Sequence, residues 1–564
     1  MSLNGTLSTA GRSLEVFSAG VQVTGENIAN SGTPGYIREE IALETGGSYS
    51  NGNLLFGIGV LGQGVQQQID LYLEGRLYSA STDAAAADAR QEIYKQLEVE
   101  LRELGDSDLS TSLSEFQQSL ANLADEPESD SLRSIAVQQG QELANDILDL
   151  RARVDQLQQD QTGRIGSLVE EANGLIDEIA RLNPRIAGLE AASNFSSDAG
   201  GERSQRYAAM SRLAEIVPVR FRENPSGTVD VYSGSNYLLL TGSTQHLEVT
   251  RTSENGTVTS SVVVSVTQAD VSRSGGEIRG LIEGRDDILG GFVEQLDQFA
   301  SGLISEFNRL HASGEGTAAF STLTSLNEVS DTSAALNVVD LPTTPEHGEF
   351  EVKIQNELTG LVETTTIPID LDGIGADTSL DDLQATLDAI PNLSATVTPR
   401  GQLQLDAASG YTFSFANDSS GVLAGLGLNT FFTGADSSSI GVNAAIVQNA
   451  DLLATGQGGG PSDGRNASRL AEFLDGPVEG FNGRTLTEFY ESVVTDVAQS
   501  AASEETLSQG LATYRDSLQS QRDQFSGVSL DEEALKLIEF QHSYQAAARI
   551  ISTVDELMQV MLNL

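Results

Sequence analysis

The chain has 564 residues, with 81 Asp and Glu against 31 Lys and Arg and a formal net charge of −50. Phosphate binding needs clustered bases, so this balance excludes nucleic acid and disfavours anionic membrane surfaces. The absence of cysteine removes disulfides, thiolate catalysis and Cys-ligated metals. A hydrophobic fraction of 39% without Trp predicts several domains that bury mainly aliphatic side chains, a composition suited to helix bundles.

The first element in the chain is a heptad helix. Leu3, Leu7, Ala10, Leu14, Phe17, Val21 and Ile28 recur in alternating steps of four and three, with Thr24 the one polar interruption. Such a seam packs against other helices. It stops at Asn30-Ser31-Gly32-Thr33-Pro34-Gly35, where Pro and Gly forbid continuation. The opening residues lack the basic and apolar regions of a cleaved signal peptide, so none is expected. Nor does the chain contain a run of about 18 apolar residues that would span a membrane.

A long helical tract is predicted from Ser131 to Ala192. Its two apolar seams, Leu143 to Leu157 and Leu168 to Leu189, are out of phase. That implies a coiled-coil stutter or a helical hairpin near Gly163 and Gly166, with a kink at Pro184. From Ile216 to Val271 the period falls to two, giving strands around Val229–Tyr232, His246–Val249 and Ser261–Val264. Turns are expected at Pro225-Ser226-Gly227 and Asn255-Gly256. Helix returns from Gly280 to Leu310. A second β-rich block, about 334–443, contains strands at Phe350–Ile354, Thr365–Ile369, Ser394–Val397 and Tyr411–Phe415, and a short helix at Leu380–Ile390. Its Gly- and Ser-rich flanks mark an inserted domain. The run Gln457 to Gly464 is a loop leading back into helix.

At the C-terminus Leu537, Phe540, Tyr544, Ala547, Ile551, Val554, Met558 and Met561 form an unbroken heptad seam. Ser529 is its candidate N-cap, followed by acids in the first turn. Two amphipathic helices at opposite ends of a chain need partners, either each other or neighbouring copies. The expected fold class is therefore α+β and multidomain. Paired terminal coiled-coil helices would combine with a long helical bundle carrying a β subdomain and an inserted mainly-β outer domain. The expected division is 1–60 with 510–564, then 61–333 with 444–509 (including the β region near 216–271), and 334–443.

Catalytic patterns are missing, so no enzyme activity, cofactor or metal site is expected. The loop Asp370-Leu371-Asp372-Gly373-Ile374-Gly375-Ala376-Asp377 superficially suggests calcium. Its fifth position is Ile374 and its twelfth is Asp381 rather than Glu, so it reads as a strand end, a turn and a helix cap. Four histidines (His246, His311, His347, His542) lie far apart, and surface or helix-end roles are expected for His311 and His542. Nucleophile-elbow, P-loop and dinucleotide fingerprints are all lacking.

The stretch Gly25-Glu26-Asn27-Ile28-Ala29-Asn30-Ser31-Gly32-Thr33-Pro34-Gly35-Tyr36-Ile37-Arg38 resembles the N-terminal signature of flagellar rod, hook and hook-associated proteins. Asn27, Asn30, Thr33, Pro34, Gly35 and Tyr36 are its motif residues. Two further stretches are similar to the hook-associated protein 1, or hook–filament junction, branch of that axial family. One runs from Gly527 to Ala534 and on through Tyr544 to Thr553; the other is Gly280-Leu281-Ile282-Glu283-Gly284-Arg285-Asp286-Asp287, continuing to His311. The tract from Val169 to Asn183 fits the same branch. Pro184 departs from the pattern.

The resemblance implies a structural subunit of the bacterial flagellum, exported unfolded by the type III apparatus with a chaperone and without a cleaved signal. It would assemble outside the cell as an adaptor ring between hook and filament. Implied partners are other copies of the chain, hook subunits and a filament-side hook-associated protein. The alternatives are another axial subunit (rod, hook or filament), or an extracellular adhesin or enzyme carried on axial-protein ends.

Overall fold

The N-terminal heptads form one helix, α1 (Leu3–Asn30). The structure, a computed structural model, describes residues 3–33, 35–51, 54–102, 109–193, 197–254 and 257–562. Pro34 and the expected Asn255-Gly256 turn lie outside the described residues. The end of α1 is closed locally: the Asn30 amide donates to the Glu26 carbonyl and the Ser31 hydroxyl to that of Ile28. The second of these occupies a carbonyl that a helix end leaves open. Gly35 then adopts φ +77°, a conformation open to glycine at little steric penalty. Two nested antiparallel hairpins follow. Strand β1 (Glu39–Thr45) pairs with β4 (Val60–Gln67), and β2 (Ser48–Asn51) with β3 (Leu54–Gly57).

Next come α2 (Leu71–Arg102), α3 (Leu109–Asp125), α4 (Asp130–Ala192) and α5 (Gly200–Ile216). The hairpin alternative for α4 is not what forms, because its 63 residues are one continuous helix through Gly163, Gly166 and Pro184. The buried positions account for the two seams in the sequence. Val154, Gln161, Ile165, Leu168, Ala172, Ile176 and Ile179 make one stripe in which steps of four follow one another, the signature of a stutter. Leu189, assigned to the second seam, is exposed, and Glu190 is buried instead.

The period-two region contains β5 (Arg220–Glu223), β6 (Val229–Ser233), β7 (Asn236–Leu240) and β8 (Ser243–Thr244) in one antiparallel meander. A separate hairpin joins β9 (Leu247–Glu254) and β10 (Thr257–Val264). Helix resumes as α6 (Gly276–Glu283), passes through one π-helical stretch (Gly284–Leu289) and continues as α7 (Gly290–Ala312). The glycines of this tract have a packing reason. A Cβ at Gly280 would stand 2.3 Å from the Ala86 carbonyl oxygen, and one at Gly284 would stand 2.0 Å from Ile93. Both are small because α6 lies directly on α2. Arg90 of α2 pins this contact with ion pairs to Glu283 and Glu504, 2.8 and 2.7 Å long.

The remaining strands are β11 (Thr322–Thr324), β12 (Gly348–Asn356), β13 (Val362–Ile369), β14 (Leu393–Val397), β15 (Leu403–Ala407), β16 (Tyr411–Ala416), β17 (Phe432–Thr433) and β18 (Gly441–Val442). The helices are α8 (Leu380–Asp388), α9 (Val422–Leu426), α10 (Ala444–Gln448), α11 (Arg465–Leu474), α12 (Leu486–Ser526) and α13 (Leu530–Leu562). Among the described residues no helix is long and apolar enough to cross a membrane.

The chain divides into two compact units: 1–93, 159–287 and 501–564 form one, and 94–158 with 288–500 form the other. In the first, Arg206 is fully buried. Its guanidinium donates to the Asn183 side-chain oxygen and the Gly227 carbonyl, while neighbouring Arg203 reaches Glu190 and Glu223. This network ties α5 to α4 and to the turn before β6. In the second unit, the rings of Phe116, Phe307, Phe431 and Phe432 pack together, with centroids 4.8 to 5.9 Å apart.

His311 adjoins that aromatic core and is wholly buried in the last turn of α7, which corrects the expectation of a surface role. Its Nδ1 bonds the Asn429 carbonyl and its Nε2 accepts the Ala454 N–H. Burial pushes its pKa down to about 4, so the ring is neutral near pH 7.

The β-rich packing of the second unit begins before residue 334 and ends before 443. Strand β11 pairs with β15, and Phe320 bridges Phe413. Sheets β13-β12-β16 and β11-β15-β14, with α8, enclose a core including Phe350, Phe413, Phe415, Leu383 and Leu405 that reaches Leu428. The Asp-rich loop is a turn held by its own backbone: Gly373 and Ile374 N–H donate to Asp377 and Asp372. Ser379 and Asp382 then form a capping box on α8.

Candidate assembly surface

Helix α1 packs along α13, so the two ends of the chain are partners of each other. The two come close at Gly20, where a Cβ would sit 2.9 Å from the Phe540 ring. Phe17 lies 6.5 Å from the same ring, centroid to centroid. On α1 the buried residues are Ala10, Val16, Gly20, Val23, Thr24 and Asn27. The N-terminal seam residues Leu3, Leu7, Leu14, Phe17, Val21 and Ile28 are half-buried beside that stripe. Along α13, Ala547 and Val554 are buried, Leu537, Phe540, Ile551 and Met558 half-buried, and Tyr544 and Met561 exposed.

Helix α13 has a second apolar face. Leu535, Ile538, Ile550, Leu557 and Val560 are all exposed. At 100° per residue they centre about a third of a turn from Ala547 and Val554. An apolar groove of about 410 Å³ also lies along the helix pair, lined by Thr9, Phe17, Phe56, Ala547 and Ile550 among others.

The stretch from Asn27 to Arg38 is the fastening between the two ends. Asn27 is 1% exposed and uses its whole amide. Its Nδ2 donates to the Glu39 carbonyl (2.8 Å) and Glu533 Oε2 (3.0 Å). Its Oδ1 accepts from the Glu39 N–H and the Tyr36 hydroxyl (both 3.0 Å). One side chain thus joins the end of α1, the arm after Gly35 and the first turn of α13. Glu533, equally buried, lies 3.0 Å from Arg38 Nε in an ion pair whose N–H points off the hydrogen-bonding line. Arg38 also reaches Glu532 at 3.3 Å and donates its backbone N–H to the Ser526 carbonyl. Lys536 adds a 2.8 Å pair to Glu40. Of the other motif residues, Gly35 supplies the turn, Asn30 caps the helix, and Thr33 is exposed, its N–H donating to the Asn30 carbonyl. Arg38, Glu39 and Glu533 were not selected from the sequence as site residues. The available signal was opposite charge, Tyr36-Ile37-Arg38 against Asp531-Glu532-Glu533, but their separation of nearly five hundred residues concealed it.

Burial of Glu39 first, then the charges of Glu26 and Asp198, push its carboxyl up to about 7. The Tyr36 hydroxyl is pushed upward by burial and by Glu39, Glu26 and Glu533. The fold favours protonated Glu39. Its contribution to stability is therefore complete below about pH 4.5 and is lost as pH rises through about 7. Glu39→Gln is expected to melt above the parent at about pH 8 and with it at about pH 4. Parallel melting curves for the two proteins across that range would refute the assignment.

Residues 94–319 match the family model "Flagellar hook-associated protein FlgK helical domain", and 519–564 match "Flagellar basal body rod FlgEFG protein C-terminal". Three curated relatives are each called flagellar hook-associated protein 1. The Escherichia coli protein is 24% identical, covering 100% of both chains. The Bacillus subtilis protein is 23% identical over 99% of this chain and 97% of its own. The Salmonella typhimurium protein is 25% identical over 98% of each. The solved flagellar hook junction protein FlgK from Burkholderia pseudomallei superposes with a TM-score of 0.54 at 15% identity, covering 81% of this chain and 100% of that one. That likeness is one of fold.

Proposed function

The chain belongs to the flagellar hook-associated protein 1 family, and from that premise we propose that it is the subunit joining hook to filament, assembled as a ring of copies at the hook tip. It is a structural protein of the flagellum, not an enzyme. The observation that carries the reading is the fastening of the two ends by Asn27, Arg38 and Glu533. It presents α1 and α13 as one two-helix element with an apolar row left over. In the proposed assembly that row, Leu535 to Val560, packs on neighbouring copies, and the paired ends (1–60 with 510–564) line the inner tube. The rest of the chain would divide into a bundle of 61–333 with 444–509 and a separate β module. Its packing supports limits nearer 320 and 428 than 334 and 443.

Hook subunits would contact the ring from below and a filament-side hook-associated protein from above. A chaperone and the type III apparatus would deliver the unfolded chain. The test is a strain from which only this protein is missing. Its hooks are expected to be complete and bare, with filament protein shed into the medium, and the full chain supplied in trans should restore filaments. Firmly attached filaments in the deletion strain would refute the proposal.

A further inference from the structure

We infer that the fold of this chain, and the joining of its copies, require mobile cations at the surface, so that both are gated by ionic strength. The net charge of −50 is one part of the argument; where the bases sit is the other. Only three lysines are present, Lys95, Lys353 and Lys536, and two of them are already paired, with Glu315 and Glu40. Several of the arginines are drawn inward, although others, such as Arg181, Arg222 and Arg465, stay exposed beside carboxylates. Arg206 and Arg133 are buried on carbonyl and amide oxygens, Arg285 reaches the Ser260 carbonyl and Asp286, and Arg90 and Arg203 each bridge two glutamates. These inward bases hold elements together and neutralise none of the exterior.

The β module shows the outcome most plainly. Residues 320–428 carry sixteen carboxylates against two bases, Lys353 and Arg400. At the fastening of the two ends the crowding reaches a functional element, because the charges of Glu26 and Asp198 add to the burial that pushes the Glu39 carboxyl up.

Like charges about 10 Å apart in water repel by only about 0.4 kcal/mol per pair, but across tens of carboxylates these small terms add up. That self-repulsion opposes the compact state. It opposes a ring of copies more strongly, since each added copy brings the same charge. Salt removes it: the screening length falls from about 10 Å at 0.1 M to about 3 Å at 1 M. The assembly half of the inference rests on the proposed function, whereas the stability half concerns the single chain and stands without it.

The test is melting of the full-length chain at about pH 7.5 between about 0.02 and 1 M NaCl or KCl. The expected result is a rise on the order of 10 °C, the same for both salts, with most of it gained below about 0.5 M. A flat response would overturn the inference. So would a gain confined to sulfate or to chloride above about 1 M, which is the behaviour of strengthened apolar burial rather than screening. A second variant keeps the test independent of the salt itself. Neutralising the exposed Glu328, Glu346, Glu357 and Glu363 to Gln is expected to raise the melting temperature in low salt and shrink the salt response. An unchanged profile would overturn the inference equally. Incorporation at hook tips in dilute and saline media then reads the assembly half. Salt-dependent melting with salt-independent incorporation would overturn that half alone.

Discussion

Replacing residues 320–428 with a short Gly/Ser linker is expected to leave a folded chain, whereas replacing 334–443 is expected to unfold the second unit. The longer removal takes Phe431 and Phe432, which are 0% and 1% exposed among Phe116 and Phe307. Losing one such ring removes about 3–5 kcal/mol, and losing both approaches the whole margin of about 5–15 kcal/mol for a typical domain. It also takes the Asn429 carbonyl from buried His311 and strands β11 without β15. The shorter removal cuts at the edges of a module with its own core. The flanks it leaves are near each other, because the Asn429 amide donates to the Gly314 carbonyl at 3.0 Å. A linker of about five residues therefore spans the gap, and loop closure adds little. Circular dichroism and melting of the two proteins decide the matter. Equal stability would mean that the aromatic cluster does not belong to the bundle core.

The terminal helices were legible because a heptad is a statement about one chain's own periodicity. It shows that a face must be covered without naming what covers it. On α1 the covered stripe runs through Gly20 and Asn27, which a hydropathy reading passes over. Gly20 is there to admit Phe540, and Asn27 to tie three segments together. The stutter in α4 could be read from its two seams, but hairpin and straight helix share that pattern. Only the continuous run through Gly163 and Gly166, with nothing within 4 Å of a Cβ at either, separates them.

Of the β module, the strands with four or more alternating residues were read, except β15. Its Leu403-Gln404-Leu405-Asp406-Ala407 alternates too and was passed over. The three residues of β11 are too few for any period, and they exist as a strand only because β15 is beside them. His311 stands at a helix end as expected, but its burial was hidden for a similar reason. Its burial is created by Asn429 and Ala454, more than a hundred residues away.

Val554→Asp and Leu557→Asp are expected to abolish incorporation at hook tips by different routes. Val554 is 5% exposed on the face of α13 turned to α1. A carboxylate there enters an apolar contact without a partner, which is unfavourable by several kcal/mol and should loosen the helix pair within the single chain. Leu557 is half exposed on the other face, so the same charge remains solvated until a neighbouring copy arrives. The isolated Leu557→Asp chain should therefore melt with the parent and protect its terminal amides from hydrogen exchange to the same degree. The Val554→Asp chain should lose that protection at residues of α1 and α13. Secreted protein measured alongside hook-tip incorporation separates failed assembly from failed export. If Leu557→Asp chains are secreted and seat normally while Val554→Asp chains do not, the exposed row of α13 contacts no neighbour, and the intramolecular pairing of α1 with α13 is the only role of the C-terminal seam.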